Sequence, residues 1–264
     1  MSNEATEIKL AVEIIKPNTA KEYLLCSAGN RNLKDAKINS LRRDLIAGKF
    51  RLNGESIIFS DAGVLIDGHH RLTACHMSGR QIESVVVRGV RSESRKTIDM
   101  GASRTVGDHL SIDGMKNANH ISAIINVLLS LRNGRPRSAN PSSSEVYDFI
   151  DQYPEIHDAA SFASTKAYNR LANMFGSIYF VSSRQSETWK AENFRRVFST
   201  GIPDYEGCPA HYLRERLNKN AIKGHHMPVS ELQRLTAWAW EKFRTGAPVK
   251  SLKAPETFKL TGWY

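Results

Sequence analysis

Five consecutive residues, Asp67-Gly68-His69-His70-Arg71, gather a carboxylate, a flexible backbone position, two imidazoles and a guanidinium inside the stretch GVLIDGHHRLTACHMSG. An apolar strand-like run, Val64–Ile66, precedes them, and a helix-like run, His69–Ser78, follows. This order suits an anion site. Gly68 allows a sharp turn and, lacking a Cβ, lets a ligand approach the main chain. The helix start offers N–H groups without intrahelical partners and the positive end of the helix dipole. Cationic side chains in a first turn oppose that dipole, so His69, His70 and Arg71 suit phosphate oxygens better than they suit the helix. Asp67 could hold a metal, orient a histidine or cap the helix. Thr73, in the second turn, completes the binding set. A structural reading competes: Asp67 caps the helix, Arg71 makes an internal ion pair and one histidine is buried. Adjacent histidines lack the i, i+4 spacing that puts two ligands on one helix face, so no metal site is assigned.

Two further stretches carry polar residues that could border the same site. RKTIDMGASRTVGDHL (Arg95–Leu110) places Asp99, Arg104, Thr105 and Asp108 among two glycines, between a sheet strand and a helix start. Its structural alternative is a connecting loop with Asp108 as a helix cap. AGNRNLK (Ala28–Lys34) sets Asn30 and Arg31 between two helices, within reach of phosphates or simply in an exposed loop.

The elements that must position these groups are legible from pattern. Leu10–Ile15 reads as a strand that ends before Pro17. A helix follows with Asn18 as N-cap and Gly29 as its stop, and a second spans Lys34–Ala47 with Ile38, Leu41 and Leu45 at helical spacing. Ile57–Phe59 and Val64–Ile66 flank Ser60-Asp61-Ala62-Gly63 as a hairpin, and IESVVVRGV is a buried strand. Beyond Gly114 the pattern turns helical. NANHISAIINVLLSLRNG is a helix, Ser142 and Glu145 have capping-box spacing, and further helices fit Arg170–Val181, Glu187–Phe198, Ala210–Asn220 and Ser230–Arg244. Leu232, Leu235 and Phe243 mark a core-facing stripe on the last of these, whereas His225 and His226 sit in a turn before Pro228. The expectation is an α+β fold, with a small mixed sheet and helices over residues 1–114 and a helical part over 115–264.

Bulk properties narrow the partners. The 264 residues carry 37 Lys and Arg against 27 Asp and Glu, and the resulting net charge of +10 favours an anionic partner, DNA first. The excess is shared by both halves, so it locates no basic face. NFRRVF and HYLRERLNK mix basic and aromatic residues that could touch nucleic acid, yet no helix-turn-helix pattern is clear. Cys26, Cys75 and Cys208 form neither a disulfide framework nor a CxxC pair, which fits a reducing cytoplasm. The opening residues lack a signal peptide's apolar core, and no apolar run is long enough for a membrane helix.

LIDGHHRLTA, in its strand–turn–helix setting, resembles the ParB/sulfiredoxin-fold superfamily, and in particular phage- and plasmid-type ParB N-terminal-domain proteins. EIIKPNTAKEYL and NRNLKDAKINSLRRDLIAGKF before it and TIDMGASRTVGDHL after it add to the likeness, which spans roughly Val12 to Leu110. The resemblance implies a phosphate-binding turn at the motif, with Asp67, His69, His70 and Arg71 as catalytic candidates. Gly68, His70, Arg71, Thr73, Asn30, Arg31, Arg104 and Thr105 are the binding candidates for a nucleotide (ATP, ADP or CTP), with Mg²⁺ as an optional companion. It implies a role with DNA in a bacterial or phage-infected cell, as a nucleotide-dependent protein or a nuclease. A phosphotransferase and a non-catalytic DNA-binding regulator are the alternatives, and a homodimer is compatible with each.

The residues sort the superfamily's chemistries. His69 stands where sulfiredoxins carry the catalytic cysteine of a G-C-H-R motif, and Cys75 lies further along the helix, facing the core. The G-E-R-R and Glu-Asn boxes of CTP-binding segregation proteins have no counterpart here. The superfamily's free-serine kinases carry a motif close to D-G-x-H-R, which keeps phosphoryl transfer open, with Asp67, Glu55 or Glu22 as base. No D-x-D or H-x-H box accompanies the motif to mark a nuclease.

Overall fold

The computed structural model describes residues 7–27, 33–96, 98, 104–132, 140–165, 171–260 and 262. The chain divides into two compact units, residues 1–103 and 104–264. The first is a mixed sheet with helices and the second, among its described residues, is helical, so the α+β architecture expected from the sequence is the one observed.

In the first unit, β1 (Lys9–Ile15) leads into α1 (Pro17–Leu25), and α2 (Asp35–Ile46) follows. Next come β2 (Ser56–Ser60), β3 (Leu65–Asp67), α3 (His69–Ser78) and β4 (Ile82–Val90), then a 3₁₀ turn over Ser92–Lys96. The sheet order is β1-β4-β2-β3. β1 pairs antiparallel with β4 from Lys9 opposite Arg88 to Ile15 opposite Ile82, and β2 runs parallel to β4 with Ile57 opposite Val86. β2 and β3 form the expected antiparallel pair, and the positive φ of Gly63 closes the turn between them.

Ile15, Ile57, Leu72, Ile82 and Val86 build this unit's core on one face of the sheet, together with residues of α1, α2 and α3. β4 is accordingly not buried throughout: Ile82, Ser84 and Val86 are inside while Glu83 is exposed, the period-2 alternation of a sheet covered on one side. On β1 the opposite set, Leu10, Val12 and Ile14, is 54–69% exposed. α1 begins two residues earlier than expected, because Pro17 takes the first helical position, where its fixed φ suits the helix and its missing N–H costs nothing; Lys16, not Asn18, is the N-cap.

The second unit opens with α4 (Val106–Ile112), whose Leu110 belongs to this unit's core. The division therefore falls ahead of residue 114. α5 (Ala118–Arg132), α6 (Ser143–Gln152), α7 (Ile156–Ser164), α8 (Ala172–Arg184), α9 (Thr188–Thr200), α10 (Pro209–Ile222) and α11 (Val229–Arg244) complete it. Ser142 and Glu145 form the expected capping box at α6. α5 and α8 pack so closely at Gly176 that a Cβ there would overlap Ile124. Leu232, Leu235 and Phe243 of α11 face the core, as their spacing requires. Among the described residues no helix is long and apolar enough to cross a membrane.

Candidate functional site

The Asp67–Arg71 turn links the end of β3 to the start of α3. Gly68 occupies the N-cap position with φ 104°, a backbone conformation that favours glycine, and no side chain caps the helix. Asp67 is thus not the cap that one reading assigns it. A Cβ on Gly68 would stand 2.8 Å from Cγ1 of Ile57 on β2. The space beside the glycine is filled by protein, so the residue is required for the turn to lie against the sheet, and the expected ligand approach on that side is closed.

Arg71 turns inward. Only 8% exposed, its guanidinium donates to the carbonyl of Glu55 and, at 2.7 Å, to that of Ser56, and lies 3.5 Å from Asp67 Oδ2. The Glu55 carboxylate is 3.8 Å from Nε. Arg71 therefore ties the beginning of β2 to the end of β3 from within α3. The fork geometry of a guanidinium lets one side chain satisfy two main-chain carbonyls and face two carboxylates together. The expected phosphate ligand is engaged by the protein itself.

The two histidines point elsewhere. His69 Nε2 lies 2.8 Å from the Ser27 hydroxyl, just after α1. His70 Nε2 accepts the backbone N–H of Lys34, just before α2, at 3.1 Å, so that nitrogen is the unprotonated one of a neutral ring in this arrangement. One helix start thereby reaches both described flanks of the segment 28–32, the stretch that holds the candidates Asn30 and Arg31, which lie outside the described residues. The backbone supports the junction: Leu65 N–H of β3 donates to Cys26 O at 2.9 Å, and Ser27 bridges Leu65. Two stretches that the sequence singles out separately are brought together at their edges.

Thr73 is half-buried one turn beyond His69, on the same side of α3. Cys75 is fully buried, and burial pushes its thiol up to about 11, far from a reactive thiolate. Glu22 is exposed on α1, and Glu55 is the more exposed of the two carboxylates beside Arg71. Arg104 and Thr105 belong to the second unit, and Asp99 lies outside the described residues. Thr105 is the N-cap of α4. Its hydroxyl accepts from Asp108 N at 3.2 Å, while Asp108 Oδ2 accepts from Thr105 N at 2.7 Å. The cap falls on Thr105 rather than on Asp108, and this reciprocal capping box accounts for both side chains.

Sequence reasoning misses a charged cluster on the covered face of the sheet. Arg88 of β4 forms an ion pair with Glu13 of β1, donates to Tyr23 Oη of α1 at 2.8 Å, and stacks over Phe59 with 5.3 Å to the ring centroid. The Arg88 hydrogen bond, then that of Tyr23, holds Glu13 below the ordinary carboxylate value against the opposing effect of burial. The Lys9–Arg88 and Glu13–Ser84 register places the group, a signal that appears only once β1 and β4 are paired. No family model, no curated protein and no solved structure matches the chain.

Proposed function

We propose that the first unit is a ParB/sulfiredoxin-type phosphate-binding domain, that a nucleotide's phosphates dock at the start of α3, and that the protein acts on or with DNA. The observation that carries this reading is the joint placement of His69 and His70 at a glycine-led helix start without a side-chain cap, directed to the two flanks of one interhelical segment. No acidic side chain stands in the first turn of α3 and no side chain caps it, so the positive end of the helix dipole is not offset from within the helix, although Asp67 and Glu55 face Arg71 from outside it. An anion at that position would act as the missing cap, accepting from main-chain N–H groups and from histidine. Mg²⁺, if used, would arrive with the nucleotide, held chiefly by its phosphates, and Asp67 and Glu55 are the nearest carboxylates.

The internal engagement of Arg71 favours binding over phosphoryl transfer by this turn. A side chain committed to two main-chain carbonyls is a positioning group, not one that follows charge onto a transferring phosphate. Among the three functional alternatives, this weighs toward a nucleotide-responsive or regulatory DNA-associated protein over a phosphotransferase.

Thermal melting in the presence of ATP, ADP, CTP and GTP, each with and without Mg²⁺, tests the reading. A ligand that binds the native state must raise the melting point, by about 2.7 kcal/mol of stability at a hundred times its Kd. One nucleotide should give this shift, and His70→Ala should reduce it at least tenfold in affinity while leaving the unliganded melting point near wild type. Absence of a shift with all four nucleotides overturns the nucleotide reading.

A further inference from the structure

α10 and the segment after α11 enclose a groove of about 610 Å³ in the second unit. Tyr212, Arg216, Lys219, Asn220 and Lys223 line its α10 side, and Lys250 faces them from the C-terminal segment. The spacing from 212 through 216 and 219 to 223 sets these side chains along one helix face. Arg216 builds the groove: it donates to the carbonyl of Leu252, lies 3.8 Å from Glu231 and so holds the segment against the helix. Lys219, Lys223 and Lys250 are exposed, and among the described residues none of them has an ion-pair partner. Among the described residues of the lining, Glu215 is the one carboxylate against four cations.

We propose that this groove holds the phosphodiester backbone of DNA without regard to sequence. The spread of charge selects the ligand class. Arg216 to Lys223 covers about 10 Å of helix at 1.5 Å per residue, too long for one phosphate and suited to a chain of them. Exposed lysines that lack internal partners keep their full charge for counterion release, the main driving force of sequence-independent binding. Tyr212 and Asn220 supply a ring edge and an amide for sugar or base, as is usual beside a backbone-tracking cation row. The inference rests on the reading above only in taking DNA as the partner, and it assigns that partner to the second unit, whereas the nucleotide is proposed on the first.

Fluorescence anisotropy of a labelled DNA duplex and of its single strand, titrated with the full chain between roughly 50 and 200 mM salt, tests it. The wild-type protein should bind at least one form, with affinity falling linearly on a log–log plot against salt. The triple variant Lys219→Ala, Lys223→Ala, Lys250→Ala should melt like wild type and bind at least tenfold more weakly. Its salt slope should be shallower by about 2–3, one lost phosphate contact per lysine. The form bound more tightly identifies whether duplex or single strand is the ligand. The titration is made without nucleotide, so failure at the nucleotide site does not enter it and the two failures stay distinguishable. A triple variant with wild-type affinity and slope overturns the proposal, as does wild-type protein that binds neither form at the lowest salt.

Discussion

At the scale of single residues, Gly68 and Arg71 show that a motif's chemistry and its architecture can compete for the same side chains. A basic residue after Asp-Gly-His-His reads equally well as a phosphate ligand or as an internal brace, because sequence does not say which way it turns. Its burial against the carbonyls of Glu55 and Ser56 decides for the brace. Arg71→Ala should therefore destabilise the first unit by about 2–4 kcal/mol, since it removes the guanidinium that two main-chain carbonyls accept from and that faces the Asp67 carboxylate. Arg71→Lys, which keeps the charge and loses the fork, should recover only part of that. Gly68→Ala should cost about 2 kcal/mol, from the positive φ together with the overlap on Ile57. Urea denaturation followed by circular dichroism measures all three. Loss of nucleotide binding by an Arg71→Ala protein of wild-type stability would refute the brace and restore Arg71 as a ligand. The partners of the histidines are not legible in the sequence: Ser27 and Lys34 meet α3 only once α1 and α2 have packed against it and Leu65 has paired with the end of α1.

At the scale of elements, the hairpin, α2, α3 and the long helices of the second unit can be read from period and punctuation. The misreadings have physical causes. Asp108 and Thr105 are both good caps three residues apart, and only the reciprocal bond shows that Thr105 is the N-cap and Asp108 its N3 partner. α7 escapes a reading by period because three of its four buried residues are alanines, whose small side chains make a faint stripe. The Glu13–Arg88–Tyr23 cluster is likewise a product of strand register. Glu13 has its folded value depressed, so its contribution to stability is present above the ordinary value of 4.5 and disappears as pH falls through the folded value. Tyr23 is raised by burial and then by its bond to Glu13, so its contribution persists below 10 and disappears as pH climbs through the folded value. Glu13→Gln should cost about 1 kcal/mol at neutral pH, a modest figure because the pair is partly exposed, and should flatten the acid limb of the stability curve below pH 4.5. An unchanged acid limb in melting curves collected across that range would show that Glu13 titrates normally in the folded protein.

At the scale of the whole molecule, the sheet unit and the helical unit each hold a core of their own, and the two proposed activities fall on different units. Residues 1–103 expressed alone should fold cooperatively and retain the nucleotide-dependent shift in melting. A fragment that melts without a transition would mean that the sheet unit needs the remainder of the chain.

The pairing of β1 with β4 also imposes an order on synthesis. β1 leaves the ribosome about seventy residues before its sheet partner, and closing so long a loop must precede any return from the contacts it permits. Until Ile82–Val90 has emerged, Leu10, Val12 and Ile14 belong to an apolar strand still waiting for its neighbour, open to capture by other nascent chains. Premature termination between β3 and β4 would thus yield aggregates rather than a smaller folded domain, and aggregation during expression should respond to charges placed on β1 more than to any change in the helical unit.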